Sequence, residues 1–121
     1  MNKYENEYAM DIPTILTHIK NMQPKLKGHP RTLLHPLAAL MEECGELSTE
    51  IQILMKLKDK EPGSDGIIGE SVDAILCLLD IIVVNQPDIS YDKILSIMNN
   101  KMQKWERKYA TNEEQDYMYM H

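Results

Sequence analysis

Two short acidic motifs carry the clearest chemistry in this chain. Glu43 and Glu46, with Glu42 just before them, form the first, and Glu70 and Asp73 form the second. Residues spaced i and i+3 emerge on one face of a helix. Two such helices laid side by side would direct four carboxylates into one space. Their mutual repulsion is relieved by protonating some of them or by binding a cation. Ligands that are all oxygen suit Mg²⁺ or Mn²⁺, whereas zinc usually takes some Cys or His. The expectation is a magnesium site between two helices, with Glu43, Glu46, Glu70 and Asp73 as its ligands.

Four helices are needed to place these groups, and the sequence marks each of them. Residues 1–10 are polar without a clear period and read as a loose arm. Asp11 before Ile12-Pro13 has the form of a helix start, with proline in the first turn where its missing N–H costs little. Ile12, Ile15, Leu16, Ile19 and Met22 then recur at helical spacing. Gln23 to Arg31 holds two prolines and a glycine, so it is loop, and Lys25, Lys27 and Arg31 make it basic. A second helix starts between Thr32 and Pro36, with Thr32 or His35 near its cap. Its expected core stripe is Leu40, Cys44, Leu47, Ile51 and Leu54, within about 80° of the helical wheel. Glu43, Glu46 and Glu50 flank it within about 60° of one another, while Glu42 points away. Glu50 is thus a possible third acid.

Pro62, Gly63 and Asp65 mark a turn, with Asp65 able to cap the third helix. In an antiparallel hairpin, however, Glu46 and Glu70 should lie equally far from a bend near residue 58. The second helix is therefore expected to end before Lys58. The third, about Ile67 to Gln86, is apolar nearly all round apart from a line of Glu70, Asp73 and Asp80, and such a helix is buried. Unpartnered carboxylates inside a protein are costly, which again favours a shared metal. Asp80 lies two turns past Asp73, out of reach of the same ion, and would meet a lysine or a substrate hydroxyl. A chain of 121 residues could hardly cover this helix on every side, so a homodimer or homotetramer with the third helix near the interface is expected. Asp88 or Ser90 caps the fourth helix, Tyr91 to about Ala110, whose stripe is Tyr91, Ile94, Leu95, Met98, Met102, Trp105 and Tyr109. Lys101, Lys104 and Lys108 run beside that stripe, and residues 111–121 form a polar tail.

Composition narrows the classes. The length fits one domain, residues 1–121, and 43% hydrophobic residues fit a folded one. A net charge of −6 and a pI near 5.1 argue against coating nucleic acid or anionic membranes. Cys44 and Cys77 lack metal-ligand spacing and read as reduced thiols of a cytoplasmic protein. No signal peptide precedes the first helix. The longest apolar run, broken by Asp80, falls short of the roughly 20 residues of a membrane span. The glycines near residue 66 lack a Walker lysine, and no Glu-x-x-His pair supports a di-iron bundle.

The order Glu-Glu-x-x-Glu, 23 intervening residues, then Glu-x-x-Asp resembles the MazG-like all-α nucleoside triphosphate pyrophosphohydrolases. That superfamily also holds dimeric dUTPases, dCTP pyrophosphatases and phosphoribosyl-ATP pyrophosphohydrolase. Leu33–Leu47 is similar to the His-containing approach to the first acidic helix in phage-type members. Lys104–Tyr109 (KWERKY) is similar to the family's closing basic-aromatic run. The resemblance implies a four-helix MazG-like bundle, assembled as a homo-oligomer, that uses Mg²⁺ to hydrolyse a (deoxy)nucleoside triphosphate to the monophosphate and pyrophosphate. Glu46, with Glu43, would be catalytic, and Lys101, Lys104 and Arg107 would face the phosphates. His35 and Asp80 would line the nucleotide pocket. Two positions depart from the pattern: Met102 stands where Asn is usual, and Gly69 to Asp73 replaces Glu-Glu-Leu-Gly-Asp. The alternatives are a helical oligomer that binds nucleotide without turnover and a relative acting on a phosphoribosyl nucleotide.

Overall fold

The computed structural model describes residues 10–23 and 31–120, with side chains described as far as residue 110. Residues 1–9 of the expected arm, Lys25, Lys27 and the side chains of the expected tail lie outside the described residues. The described residues form four helices and no strand: α1 (Ile12–Met22), α2 (Leu34–Leu54), α3 (Gly66–Asn85) and α4 (Tyr91–Met120). Two units divide them, Met1–Asp88 holding α1 to α3 and Ile89–His121 holding α4. Among the described residues, no helix is long and apolar enough to cross a membrane.

The helix starts are explained by local chemistry. Asp11 Oδ1 accepts the Thr14 amide at 3.0 Å, and Pro13 sits in the first turn of α1. At α2 the capping is reciprocal. His35 Nδ1 accepts the Thr32 amide at 3.0 Å, and Thr32 Oγ1 accepts the Leu34 amide at 3.3 Å. Pro36 comes within the first turn and is buried, where its lack of an N–H is harmless. Asp65 occupies the position before α3, yet its side chain makes no capping bond. It lies over Gly69 instead, in space that a Cβ there would fill. In the second unit Ser90, not Asp88, caps α4, its Oγ accepting the Lys93 amide at 3.1 Å.

The end of α2 resolves the expected bend. The Leu57 amide donates to the Gln52 carbonyl at 2.8 Å and the Lys56 amide to Ile53 at 3.0 Å. This nested pair is a Schellman ending, which needs a left-handed residue at its turn, normally glycine. Lys56 takes that place with φ of 59°. The helix therefore stops before the Pro62-Gly63 breakers. Beyond it, the Gly63 amide donates to Glu50 Oε1 at 2.8 Å and ties the linker back to α2. Glu50 thus anchors the linker and lies outside the close group of Glu43, Glu46 and Glu70. A left-handed conformation costs a non-glycine residue about 1 kcal/mol. Lys56→Gly is accordingly expected to stabilise the protein by about 0.5–1 kcal/mol, read as a higher urea midpoint with unchanged slope.

Within the first unit α2 packs along α3, and α1 also packs on α3. Ile53 and Ile67 line one cavity at the bend, as an antiparallel hairpin requires. Leu16, Pro36 and Val83 are buried. The face that α2 offers differs from the expected one. Leu40 and Leu47 are half-buried, but Cys44 is exposed and Ile51 and Leu54 are 43% and 67% exposed. Glu43 and Glu50 are half-buried in their stead. Acidic and apolar stripes adjoin on this helix, and the face turned inward lies across their border, with Leu40, Glu43, Leu47 and Glu50 all half-buried. Ile68, Val72, Ile75, Leu76 and Leu78 of α3 are also exposed.

The second unit is one long amphipathic helix. It continues past Ala110 to Met120, where a polar tail was expected. Residues 111–120 contain no proline or glycine and several straight-chain helix formers, so backbone propensity carries the helix after the apolar repeat stops. Trp105 and Tyr109 meet edge to face, with centroids 6.3 Å apart, and both are exposed along with Leu95, Met98 and Met102.

Candidate metal centre

Glu43 and Glu46 leave α2 one turn apart, and Glu70 leaves α3 opposite them. One carboxylate oxygen from each lies within 4.8 Å of the other two. Glu43 and Glu70 are half-buried, while Glu46 is exposed at the edge of the group. Oε2 of Glu43 and Oε2 of Glu70 are both shielded from water and lack any hydrogen-bond partner. Buried oxygens of this kind almost always have a partner in a folded protein. Two orphans in one carboxylate cluster call for a positive species, a proton or a metal ion.

Protonation tendencies agree with the crowding. Burial pushes Glu70 up to about 7, with hydrogen bonding to Glu46 and Glu43 and then their charges adding to the effect. Burial likewise raises Glu43, helped by the charges of Glu46 and Asp73, although hydrogen bonding from Glu70 works the other way. Without a cation, Glu70 is the member that keeps a proton closest to neutral pH.

The other expected site residues divide. Asp73, one turn beyond Glu70, stands outside the close trio, though its charge is felt at Glu43. Lys101, Lys104 and Arg107 lie on α4 in the second unit, all exposed. His35 is spent on the α2 cap, its Nδ1 held by Thr32.

Asp80 meets an arginine. Arg31 Nη1 and Nη2 donate to Asp80 Oδ1 and Oδ2 at 2.8 and 2.9 Å, a two-pronged ion pair. Gln23 Nε2 adds a third bond to Oδ1 at 2.8 Å, and Gln23 Oε1 accepts from Arg31 Nη1 at 2.8 Å. Burial alone would raise Asp80, but the hydrogen bonds of Arg31 and Gln23 and the Arg31 charge hold it below the usual carboxylate range. An acidic residue alone in an apolar helix signals a cation partner. Nothing in the sequence selects Arg31, 49 residues away, over the neighbouring lysines. The two side chains retain only 18% and 23% exposure. Arg31→Met is expected to cost on the order of 1–3 kcal/mol in urea unfolding at neutral pH. Because the folded value of Asp80 is depressed, this stabilisation is present above its ordinary value near 3.8 and is lost as pH falls through the folded value.

Comparison of the chain with models of protein families, with curated proteins and with solved structures finds no match in any of the three.

Proposed function

We propose that the chain is a metal-dependent hydrolase that converts a (deoxy)nucleoside triphosphate to the monophosphate and pyrophosphate, of the MazG-like kind that its acidic motifs resemble. One observation supports this above the others: the facing of Glu43 and Glu46 by Glu70 across two helices, with two shielded, partnerless oxygens. The residues fit a hard divalent cation, because the donor set is all oxygen and its unsatisfied atoms belong to one close cluster. Glu43, Glu46 and Glu70 would hold Mg²⁺, or Mn²⁺, with Asp73 close enough to join through its charge. When bound, the ion would supply electrostatic stabilisation to phosphate oxygens and help orient water.

The chain's own groups would do the rest. Glu46 is the exposed member of the trio, which leaves it a path to solvent and would let it take a proton from an attacking water. Attack would fall on the α-phosphorus, with pyrophosphate leaving. Offsetting charge on that leaving group is the role that the resemblance alone implies for Lys101, Lys104 and Arg107. The exposed apolar side chains of α3 support a homodimer or homotetramer. Nucleotide-pool clearance is the biological reading, in the cytoplasm.

Pyrophosphate release with a panel of nucleoside triphosphates and Mg²⁺ tests this. Turnover of at least one, abolished by a chelator, is expected. Tight nucleotide binding with no product across the panel would replace the hydrolase by a nucleotide-binding protein.

A further inference from the structure

The apolar side chains of α4 keep a stricter period than burial against a single neighbour requires. Tyr91, Leu95, Met98, Met102, Trp105 and Tyr109 follow one another at steps of four, three, four, three and four residues. These are six successive d and a positions of a heptad, without a break. A straight helix drifts about 20° per heptad from such a repeat, so a stripe that holds to it suits two helices wound around each other. Five of the six side chains are open to solvent: Leu95, Met98, Met102, Trp105 and Tyr109 are between 38% and 59% exposed. Trp105 and Tyr109 already meet edge to face along the stripe. Ile94, beside it at a g position, is buried.

The flanking charges say which helix completes the seam, and in which direction. Lys101 and Lys108 stand at g positions, and Asp92 and Glu106 at e positions. Two parallel copies in register bring each g residue beside the e residue five positions later on the other helix. Lys101 then meets the partner's Glu106, twice by symmetry, and the sequence repeats that spacing in Lys108 and Glu113. Antiparallel copies would set g against g and e against e, with lysine facing lysine and acid facing acid. Lys101 and Glu106 are both exposed. Within one helix they point about 140° apart, so they cannot satisfy each other. The charge pattern of α4 is complementary to its own copy in one orientation only.

We propose that α4 pairs with the α4 of a second copy of this chain as a parallel, in-register coiled coil, seamed by Met98, Met102, Trp105 and Tyr109 and oriented by Lys101–Glu106 ion pairs between the copies. This surface is separate from the exposed side chains of α3, and it stands without the hydrolase reading. It engages Lys101 with the partner helix and leaves Lys104 and Arg107 at c and f positions, on the outer side of the pair.

Trp105 is the chain's one tryptophan, so its fluorescence reports on this seam whatever other faces associate. The full chain is followed over a range of concentrations by sedimentation and by acrylamide quenching of Trp105. In the parent, quenching should fall as copies assemble. Met98→Asp puts a charge in the seam two turns from Trp105, at a position 58% exposed, and should keep Trp105 open to quencher at every concentration. Lys101→Glu or Glu106→Lys alone turns two attractions into repulsions and should raise the dissociation constant by roughly tenfold or more. Mixing the two variants, or combining both changes in one chain, should return it to within roughly threefold of the parent. Rescue of this kind requires a contact between copies, because the two residues do not meet within one helix. Trp105 as open to quencher in the parent as in Met98→Asp overturns the seam. Single reversals that tighten association would reveal an antiparallel pair and overturn the proposal, as would weakening that neither the mixture nor the double variant restores.

Discussion

Glu46→Gln is expected to lower turnover by about two to four orders of magnitude while KM for the triphosphate changes little. General-base groups contribute on that scale. The substitution keeps the size of the side chain and one ligand oxygen but removes its capacity to accept a proton. Glu46 is the right member of the trio for this role because it alone is exposed. The shielded oxygens of Glu43 and Glu70 are closed off from water, where a cation would use them. Loss of the base must be told apart from loss of the metal. Pyrophosphate release is therefore measured over rising Mg²⁺, and the rate should plateau low instead of recovering. Glu42→Gln is the control. Glu42 neighbours Glu43 in sequence but is exposed and outside the close group, so its rate should stay within about twofold of the parent. A Glu46→Gln protein that regains full rate at high Mg²⁺ would make Glu46 a ligand only. A variant with the parent's rate at every Mg²⁺ concentration would remove Glu46 from the chemistry altogether.

How far the sequence reveals this site depends on which physical signal each residue leaves. That Glu43 and Glu46 share a face was legible, because i, i+3 spacing fixes relative direction whatever the helix packs against, and Glu70 comes opposite them while Asp73 stays outside the close group. The starts of α1 and α4 were legible for a similar reason: Asp11 with Pro13, and Ser90, act through bonds to their own neighbours. The side of α2 that faces α3 was not. Two stripes adjoin on its wheel, and hydrophobicity favours burying Leu40, Cys44, Ile51 and Leu54. The chain half-buries Leu40 and Leu47 together with Glu43 and Glu50, and leaves Cys44, Ile51 and Leu54 to solvent. The two carboxylates depart from the ordinary preference here, and one chain's composition carries no mark of it. Lys56 shows a different limit. Its left-handed turn is where glycine is normal, and nothing about a lysine announces it. The bend near residue 58 could be inferred only from the demand that Glu46 and Glu70 face each other. For Asp80 a lysine or a substrate hydroxyl was expected and the partner is Arg31, since a residue 49 positions away leaves no local trace. The continuation of α4 to Met120 was missed because residues 111–120 carry propensity without apolar period.

Glu70→Gln is expected to stabilise the metal-free protein above neutral pH and at the same time to cancel its response to Mg²⁺. The sign comes from proton counting. Glu70 has an ordinary value of 4.5 and is pushed up to about 7 in the folded chain, by burial first and then by Glu46 and Glu43. Between those values the folded protein holds a proton that the unfolded chain has released. Stability of the metal-free protein therefore falls as pH rises through that window, and the loss is complete above it. Glutamine cannot ionise, so the variant lacks the Glu70 share of this loss, and its melting temperature should decline less than that of the parent. A divalent cation bound between Glu43, Glu46 and Glu70, as proposed, would remove the same repulsion in the parent. At a hundredfold excess over Kd, binding should raise the parent's melting temperature at about pH 8 by on the order of 10 °C. At about pH 5 the proton competes for the same carboxylate, and the gain should shrink. The variant should show little gain at either pH. Thermal melts of both proteins, with and without Mg²⁺, across that pH range read all four arms together. A parent whose melting temperature climbs from pH 5 to pH 8 without metal would contradict the raised carboxyl. If Mg²⁺ stabilises parent and variant equally, the ion is bound somewhere other than between these helices, and the hydrolytic chemistry assigned to them loses its footing.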